Sequence, residues 1–255
     1  MINLTEAQLM AWLSPILWPF LRVLAVFTAA PIFSSKSFPT RAKIALAFFV
    51  AFAAQPSLQG QPVISITGPD AMGAVIQQVG IGLAIGFTVR LVFAAFELAG
   101  EVIGFQMGLG FASFFNPALN AQSGAVGKFF GNMASFVFIA MNGHLMVLMA
   151  VIKSFEKFPV DQNFLEALKQ MKLYELGADI FASGLWISLP MVGMLMFVNL
   201  ALGIVSRVAP QMNIFAIGFP VTLTVGFIGV AVTLPMLDQP LMALMQRAID
   251  IFAGS

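Results

Sequence analysis

Six apolar segments constrain the fold of this chain more than any other feature. They run roughly over Leu9–Phe33, Ile44–Ala54, Ala71–Phe96, Phe129–Ile152, Phe181–Val205 and Met212–Leu237. A membrane-spanning helix needs about 20 apolar residues, and every segment except the second is long enough. We therefore predict an all-α integral membrane protein with about six hydrophobic helices.

The scarcity of charge supports the same class. Only 9% of the 255 residues are charged and 60% are hydrophobic, whereas soluble proteins carry about 25% charged residues. The net charge of +1 provides no basic field for nucleic acid. Because the chain has no cysteine and no catalytic or nucleotide-binding motif, we predict no enzymatic activity, no metal site and no cofactor.

The second apolar segment is only 11 residues long and ends at Gln55-Pro56. We interpret it as the return arm of a hairpin with the first segment, or as a helix buried in protein. Lys36, Arg41 and Lys43 form a purely basic connection between these two segments. Since short basic loops favour the cytoplasmic side of a membrane, we predict that this loop faces the cytoplasm.

Two features stand out in the C-terminal half. The connection Lys153–Asp179 contains the stretch FLEALKQMKLYEL, which predicts a solvated amphipathic helix. Pro190 and Pro220 lie inside apolar segments, where each removes an internal hydrogen bond and favours a kink. Backbone groups freed in this way need a protein neighbour in the membrane, so we expect these helices to have protein surroundings.

A glycine-lined helix face precedes a phenylalanine cluster in the middle of the chain. Gly100, Gly104 and Gly108 recur every four residues, with Glu97 and Glu101 beside them. This spacing leaves one helix face without side chains, so that another backbone can approach closely. We interpret the following block as a glycine-hinged, movable apolar plug. Its residues are Gly104, Met107, Gly108, Gly110, Phe111, Phe114, Phe115, Asn116 and Pro117.

Several charged residues lie within or at the rims of apolar segments. Charge in a membrane is costly and is usually paired or faces a cavity. Arg90 and Glu97 are two turns apart on one helix face, which predicts a shared polar seam. The alternative is that Arg90, Glu97, Glu101 and Arg207 are ordinary rim charges that reach toward water.

The chain resembles the FliR family of flagellar type III export-gate proteins, whose injectisome counterparts are the SctT proteins. The resemblance covers essentially the whole sequence. The residues that carry it are Arg22 with Pro31-Ile32-Phe33; Pro39, Arg41 and Lys43; GFQMGLGFASFFNP at Gly104–Pro117; Asn142-Gly143-His144; and the run from Asn199 through Leu202-Gly203 and Arg207 to APQMNIFAIGFP at Ala209–Pro220.

The resemblance implies a core subunit of the flagellar export gate, in the bacterial inner membrane within the flagellar basal body. It implies assembly with FliP-like and FliQ-like subunits, association with a FlhB-like switch protein and transient contact with unfolded exported proteins. Residues 1–175 are expected to be FliP-like and residues 176–255 to form a FliQ-like hairpin. The helices are expected to be held largely by protein and need not cross lipid conventionally.

The resemblance also places the plug at residues 104–117, with Phe111, Phe114 and Phe115 as its occluding side chains. We assign packing between subunits and the polar seam to Arg90, Glu97, Gly100, Glu101 and Arg207. Two alternatives remain open. One is an injectisome gate subunit of the same family, and the other is a stand-alone small membrane transporter.

Overall fold

The structure is a computed structural model that describes residues 6–58, 64–65, 68–110, 124–161, 164–211 and 213–253. These residues are mostly helical, and none of them belongs to a strand, which confirms the all-α prediction. The helices are α1 (Glu6–Ala29), α2 (Thr40–Ala54), α3 (Ala71–Gln106), α4 (Ala125–Ala140), α5 (Gly143–Lys157), α6 (Phe164–Met171), α7 (Leu173–Val208), α8 (Ile214–Thr233) and α9 (Asp238–Asp250). Short 3-10 helices, Gln55–Leu58 and Leu234–Met236, follow α2 and α8.

Four helical stretches of the described residues are long and apolar enough to cross a membrane. They are Trp12–Ala29, Ala71–Gln106, Phe164–Val208 and Ala216–Met236. The broken pair α4 and α5 raises the number to five if it is taken as one span. This agrees with the five long apolar segments of the sequence.

The first two apolar segments form a helical hairpin, as predicted. α2 begins after Pro39 and packs on α1. Its buried residues are all small, namely Ala47, Ala51 and Ala54. Small side chains let two helices approach closely, which a short return arm needs because it has few turns with which to make contact.

Two stretches that the sequence treats as continuous are each broken at one residue with positive φ. The fourth apolar segment stops at Ala140 and resumes at Gly143, because Asn142 has a φ of 58°. Asparagine tolerates this left-handed conformation better than most residues. The helix predicted over FLEALKQMKLYEL forms over its first eight residues as α6, but it does not continue as predicted, since Lys172 has a φ of 43° and separates α6 from α7. No glycine or proline marks that break in the sequence.

Contacts divide the chain into two units. The first contains Met1–Val92, Asn142–Leu176 and Ala243–Ser255, and the second contains Phe93–Met141 and Gly177–Met242. The predicted division into a FliP-like part and a FliQ-like hairpin concerns likeness to other proteins and stays a prediction.

Candidate functional site

The C-terminus of α3, which carries the glycine-lined face, ends in a Schellman motif. The Gly108 N–H donates to the carbonyl oxygen of Phe105 at 3.0 Å, and the Leu109 N–H donates to that of Gly104 at 3.1 Å. Gly108 has a φ of 85°. These two bonds satisfy carbonyl groups that the end of a helix otherwise leaves unpaired, and the left-handed residue between them is usually glycine. Gly108 therefore stops α3 at a defined place.

Met107, which immediately precedes this stop, is fully buried in the second unit. The Thr222 hydroxyl of α8 is shared between two carbonyl oxygens, that of Met107 at 3.2 Å and that of Phe219 in its own helix at 3.0 Å. The Met107 sulfur lies only 2.8 Å from the position that a Cβ on Gly226 would occupy. The missing side chain at Gly226 thus makes room for the thioether, and α8 holds the C-terminal end of α3 through one backbone and one side-chain contact.

Gly100 brings α3 into backbone contact with α4. A Cβ on Gly100 would lie 2.6 Å from the Val126 carbonyl oxygen and 2.8 Å from the Gly127 Cα. One turn later the helices are further apart, because a Cβ on Gly104 would meet the Val126 side chain at 3.4 Å, an ordinary van der Waals distance. The close approach that the glycine spacing predicts therefore occurs within this chain at Gly100.

The two carboxylates beside the glycine face lie against glycines of the α4 region. Glu101 accepts a hydrogen bond from the Gly124 N–H, directly before α4. Its carboxyl carbon lies 2.9 Å from where a Cβ on Gly127 would be, and the Glu97 Cγ is equally close to a Cβ position on Gly131. A carboxylate at a helix N-terminus is favourable because it meets the positive end of the helix dipole. Glu101 thus stabilises the start of α4.

The sequence analysis did not predict that glycines of the α4 region contact these two carboxylates. Gly124, Gly127 and Gly131 recur at i, i+3 and i+7, which places them on one side of the helix. This second glycine face was a visible signal of another close helix contact, although its pairing with Glu97 and Glu101 depends on which helices are neighbours.

The remaining predicted residues are placed as follows. Arg90 and Glu97 are exposed on α3, and Arg207 is exposed in the last turn of α7. A Cβ on Gly110 would lie 2.6 Å from the Phe105 ring. Phe111, Phe114, Phe115, Asn116 and Pro117 lie outside the described residues. The plug and the polar seam therefore stay predictions.

The first unit holds a buried arginine at its centre. Arg22 of α1 is fully buried, and each nitrogen of its guanidinium donates one hydrogen bond of 2.8 Å. The acceptors are the Gln78 side-chain oxygen, the Ser154 hydroxyl and the Phe158 carbonyl oxygen. The guanidinium carbon also lies 3.5 Å from the centre of the Phe155 ring. Arg22 thereby connects α1, α3, α5 and the turn after α5.

The polar network continues beyond Arg22. The Gln78 amide donates to the Gln77 side-chain oxygen at 2.8 Å, and the Asp161 backbone N–H donates to the same oxygen at 2.7 Å. Two adjacent glutamines inside the long apolar α3 were a visible signal, because such groups need partners in an apolar setting. Within the part of the chain that the structure describes, no group of three or more His, Cys, Asp or Glu residues could hold a metal ion.

Comparisons with known proteins identify the family of this chain. The family described as bacterial export proteins, family 1, matches residues 13–248. The flagellar biosynthetic protein FliR of Escherichia coli strain K12 is 40% identical over 239 residues, covering 93% of this chain and 90% of that protein. The FliR of Pectobacterium carotovorum subsp. carotovorum is 35% identical over 255 residues, covering 99% and 97% of the two chains.

A relative of lower identity is also similar over most of its length. The flagellar biosynthetic protein FliR of Bacillus subtilis strain 168 is 32% identical over 212 residues and covers 82% of each chain. The family match includes α3, α4 and α8, and each of these relatives covers most of the chain. The chain therefore belongs to the FliR family of bacterial export proteins.

Proposed function

We propose that this chain is a core subunit of the flagellar type III protein export gate in the bacterial inner membrane. The observation that carries the proposal is the match over residues 13–248 to a family of bacterial export proteins, together with relatives whose names assign them to flagellar biosynthesis. These flagellar names favour the flagellar gate over the injectisome gate. The subunit assembles with FliP-like and FliQ-like proteins, and a FlhB-like protein associates with the assembly.

Within the gate, residues 104–117 form the plug of the channel. Its phenylalanines, Phe111, Phe114 and Phe115, fill the closed pore, and an unfolded substrate displaces them. Described contacts on both sides support this role. Before the phenylalanines, the Schellman motif at Gly108 and the contact of Met107 with α8 fix where α3 ends. After them, Glu101 holds Gly124 at the start of α4.

Such an arrangement suits a plug that moves and returns. Met107, near the start of residues 104–117, and Gly124, beyond their end, are held by contacts on either side of the phenylalanines, so that displacement of the phenylalanines need not disturb the packing of α3 on α4 and α8. Methionine is unbranched and adaptable, which suits Met107 to a position beside a moving segment. Exposed charges at Arg90, Glu97 and Arg207 are available for contacts with neighbouring subunits.

Deletion of residues 110–115 tests both the gate and the plug. The tagged deletion variant and the wild type are expressed in the native host, purified in mild detergent and analysed by mass spectrometry, and the leak of small solutes across the inner membrane is measured. We expect both chains to bring stoichiometric FliP-like and FliQ-like subunits, and only the variant to leak. Triple replacement of the three phenylalanines by alanine serves as a second variant that keeps the length of the segment.

The two parts of the proposal fail separately. A wild-type chain that purifies as a stable monomer or homodimer contradicts the gate and favours a stand-alone transporter. A deletion variant that assembles but stays sealed contradicts the plug and leaves the gate assignment standing.

A further inference from the structure

The described contacts at the end of α3 fix the chain as far as Leu109. The N–H groups of Gly108 and Leu109 donate to carbonyl oxygens of the last helical turn, and Met107 is fully buried. Displacing Gly108 or Leu109 therefore breaks the backbone hydrogen bonds that end the helix, and such bonds are costly to leave unmade. A plug that moves while α3 stays in place turns after Leu109.

Gly110, the next residue, lacks a side chain because of its neighbour and not because of its backbone. Gly108 has a positive φ, whereas Gly110 does not, so any residue type could adopt the Gly110 backbone conformation. The space beside its Cα is taken by the ring of Phe105. A Cβ on Gly110 would lie 2.6 Å from the Cδ1 and 2.9 Å from the Cε1 of that ring. The Phe105 ring therefore packs directly on the Gly110 backbone.

Phe105 itself belongs to the fixed end of α3. It lies in the last turn of the helix, and its carbonyl oxygen accepts the hydrogen bond from the Gly108 N–H. A hydrophobic contact across the turn frequently accompanies a Schellman motif, and the Phe105–Gly110 contact is of this kind, shifted by one residue along the chain. A fixed backbone thus carries a ring that lies over the first residue after the fixed part.

The contacts of Met107 and Phe105 differ in what their loss costs. Met107 is fully buried, so withdrawing its side chain from α8 leaves a cavity, which is expensive. The Phe105 side chain is 66% exposed, so separating its ring from Gly110 uncovers little apolar surface and leaves no enclosed cavity. Of these two contacts, the one at Phe105 is suited to opening and closing repeatedly.

We propose that the plug turns at Gly110 and that Phe105 is a positioning residue, whose ring holds the start of the plug against α3 while the pore is closed. The inference rests on the proposed plug, and it adds where the plug turns and what guides its return. When a substrate displaces the plug, the ring releases Gly110 and the end of α3 stays in place. After the substrate has passed, the ring packs on Gly110 again and restores the direction in which the chain leaves α3.

A cysteine introduced just after Gly110 tests whether Phe105 holds this segment. The chain contains no cysteine, so Ala112→Cys provides a single site for a maleimide label. The complete assembly is purified in mild detergent, and the labelling rate is measured with and without Phe105→Ala. About one third of the Phe105 side chain is covered, and the loss of that contact favours the released segment about two- to fivefold. We expect labelling to accelerate by the same factor. Phe136→Ala, which removes a phenylalanine on α4 that is 62% exposed, should leave the rate unchanged.

Substitution of Gly110 separates positioning from a general loss of packing. Gly110→Ala places a methyl group where the ring lies, so it should accelerate labelling when Phe105 is present and have no further effect in Phe105→Ala. Phe105→Leu keeps an apolar side chain and should fall between the wild type and Phe105→Ala. The proposal is overturned by an unchanged rate in Phe105→Ala, by an equal rise in Phe136→Ala, or by effects of Phe105→Ala and Gly110→Ala that multiply.

The positioning role and the plug fail separately. If the chain lacking residues 110–115 assembles but stays sealed, the plug is contradicted, while the labelling rates still decide whether Phe105 holds the segment after α3. If that deletion leaks and Phe105→Ala labels at the wild-type rate, the plug stands and the positioning role of Phe105 is overturned.

Discussion

Alanine substitutions at Gly100 and Gly104 form a matched pair that tests the close contact between α3 and α4. Gly100 lies inside α3 and Gly104 lies one turn later, in the last turn of the helix, so each substitution gains up to about 1 kcal/mol of helix propensity. Most of this gain cancels when the two variants are compared. The remaining difference between the two variants is the space available to the added methyl group at each position.

The structure gives the sign and size of this difference. At Gly100 the new Cβ would be 2.6 Å from the Val126 carbonyl oxygen and 2.8 Å from the Gly127 Cα. Both are backbone atoms, which cannot rotate away, so α3 and α4 must separate. At Gly104 the nearest atom is 3.4 Å away, and no movement is required. Overpacking typically costs about 1–3 kcal/mol, so Gly100→Ala should be less stable than Gly104→Ala by about that amount.

The measurement is the free energy of unfolding of the purified chain, obtained by titrating detergent-solubilised protein with sodium dodecyl sulfate and following helicity. We expect Gly104→Ala to be the most stable of the three proteins, followed by the wild type and then Gly100→Ala. If the gain in helix propensity offsets most of the overpacking, the stability of Gly100→Ala will be close to that of the wild type. Equal stability of the two variants, or a less stable Gly104→Ala, would refute the backbone contact at Gly100.

Two further predictions use the same assay. Arg22→Ala leaves the acceptors on Gln78 and Phe158 without their donor. Each unpaired buried group costs about 1–3 kcal/mol, so the free energy of unfolding should fall by roughly 2–6 kcal/mol. The control Arg90→Ala, at an exposed site, should change it by less than about 0.5 kcal/mol. Gly226→Ala places a methyl group against Met107 and should destabilise the chain. Combining it with Met107→Ala should remove the clash, and a double-mutant cycle would detect this as a coupling energy between the two sites.

The sequence predicted the helices of this fold better than the contacts between them. Apolar run length is a local property, so the long helices could be predicted from segment length, and the α1–α2 hairpin was one of two interpretations of the short second segment. The glycine spacing at Gly100 also predicted a close approach. Its target, at Val126 and Gly127, could not be inferred from one face alone, because matching two helix faces requires knowing which helices are neighbours.

The buried polar network illustrates the same limit at longer range. Arg22 and Ser154 are 132 residues apart and meet only because α1 and α5 pack together. The break at Lys172 was hidden for a different reason. The Lys172 backbone adopts a left-handed conformation that lysine rarely takes, so no residue type at this position indicated a break in the helix.

The distribution of charge along α3 has a consequence for how this helix meets lipid. The stretch from Ala71 to Val89 contains no charged residue. It measures about 28 Å, close to the thickness of about 30 Å of the hydrocarbon layer. The three charged residues of α3, Arg90, Glu97 and Glu101, all follow this stretch, so a bilayer that takes it in leaves no charge of α3 within the hydrocarbon.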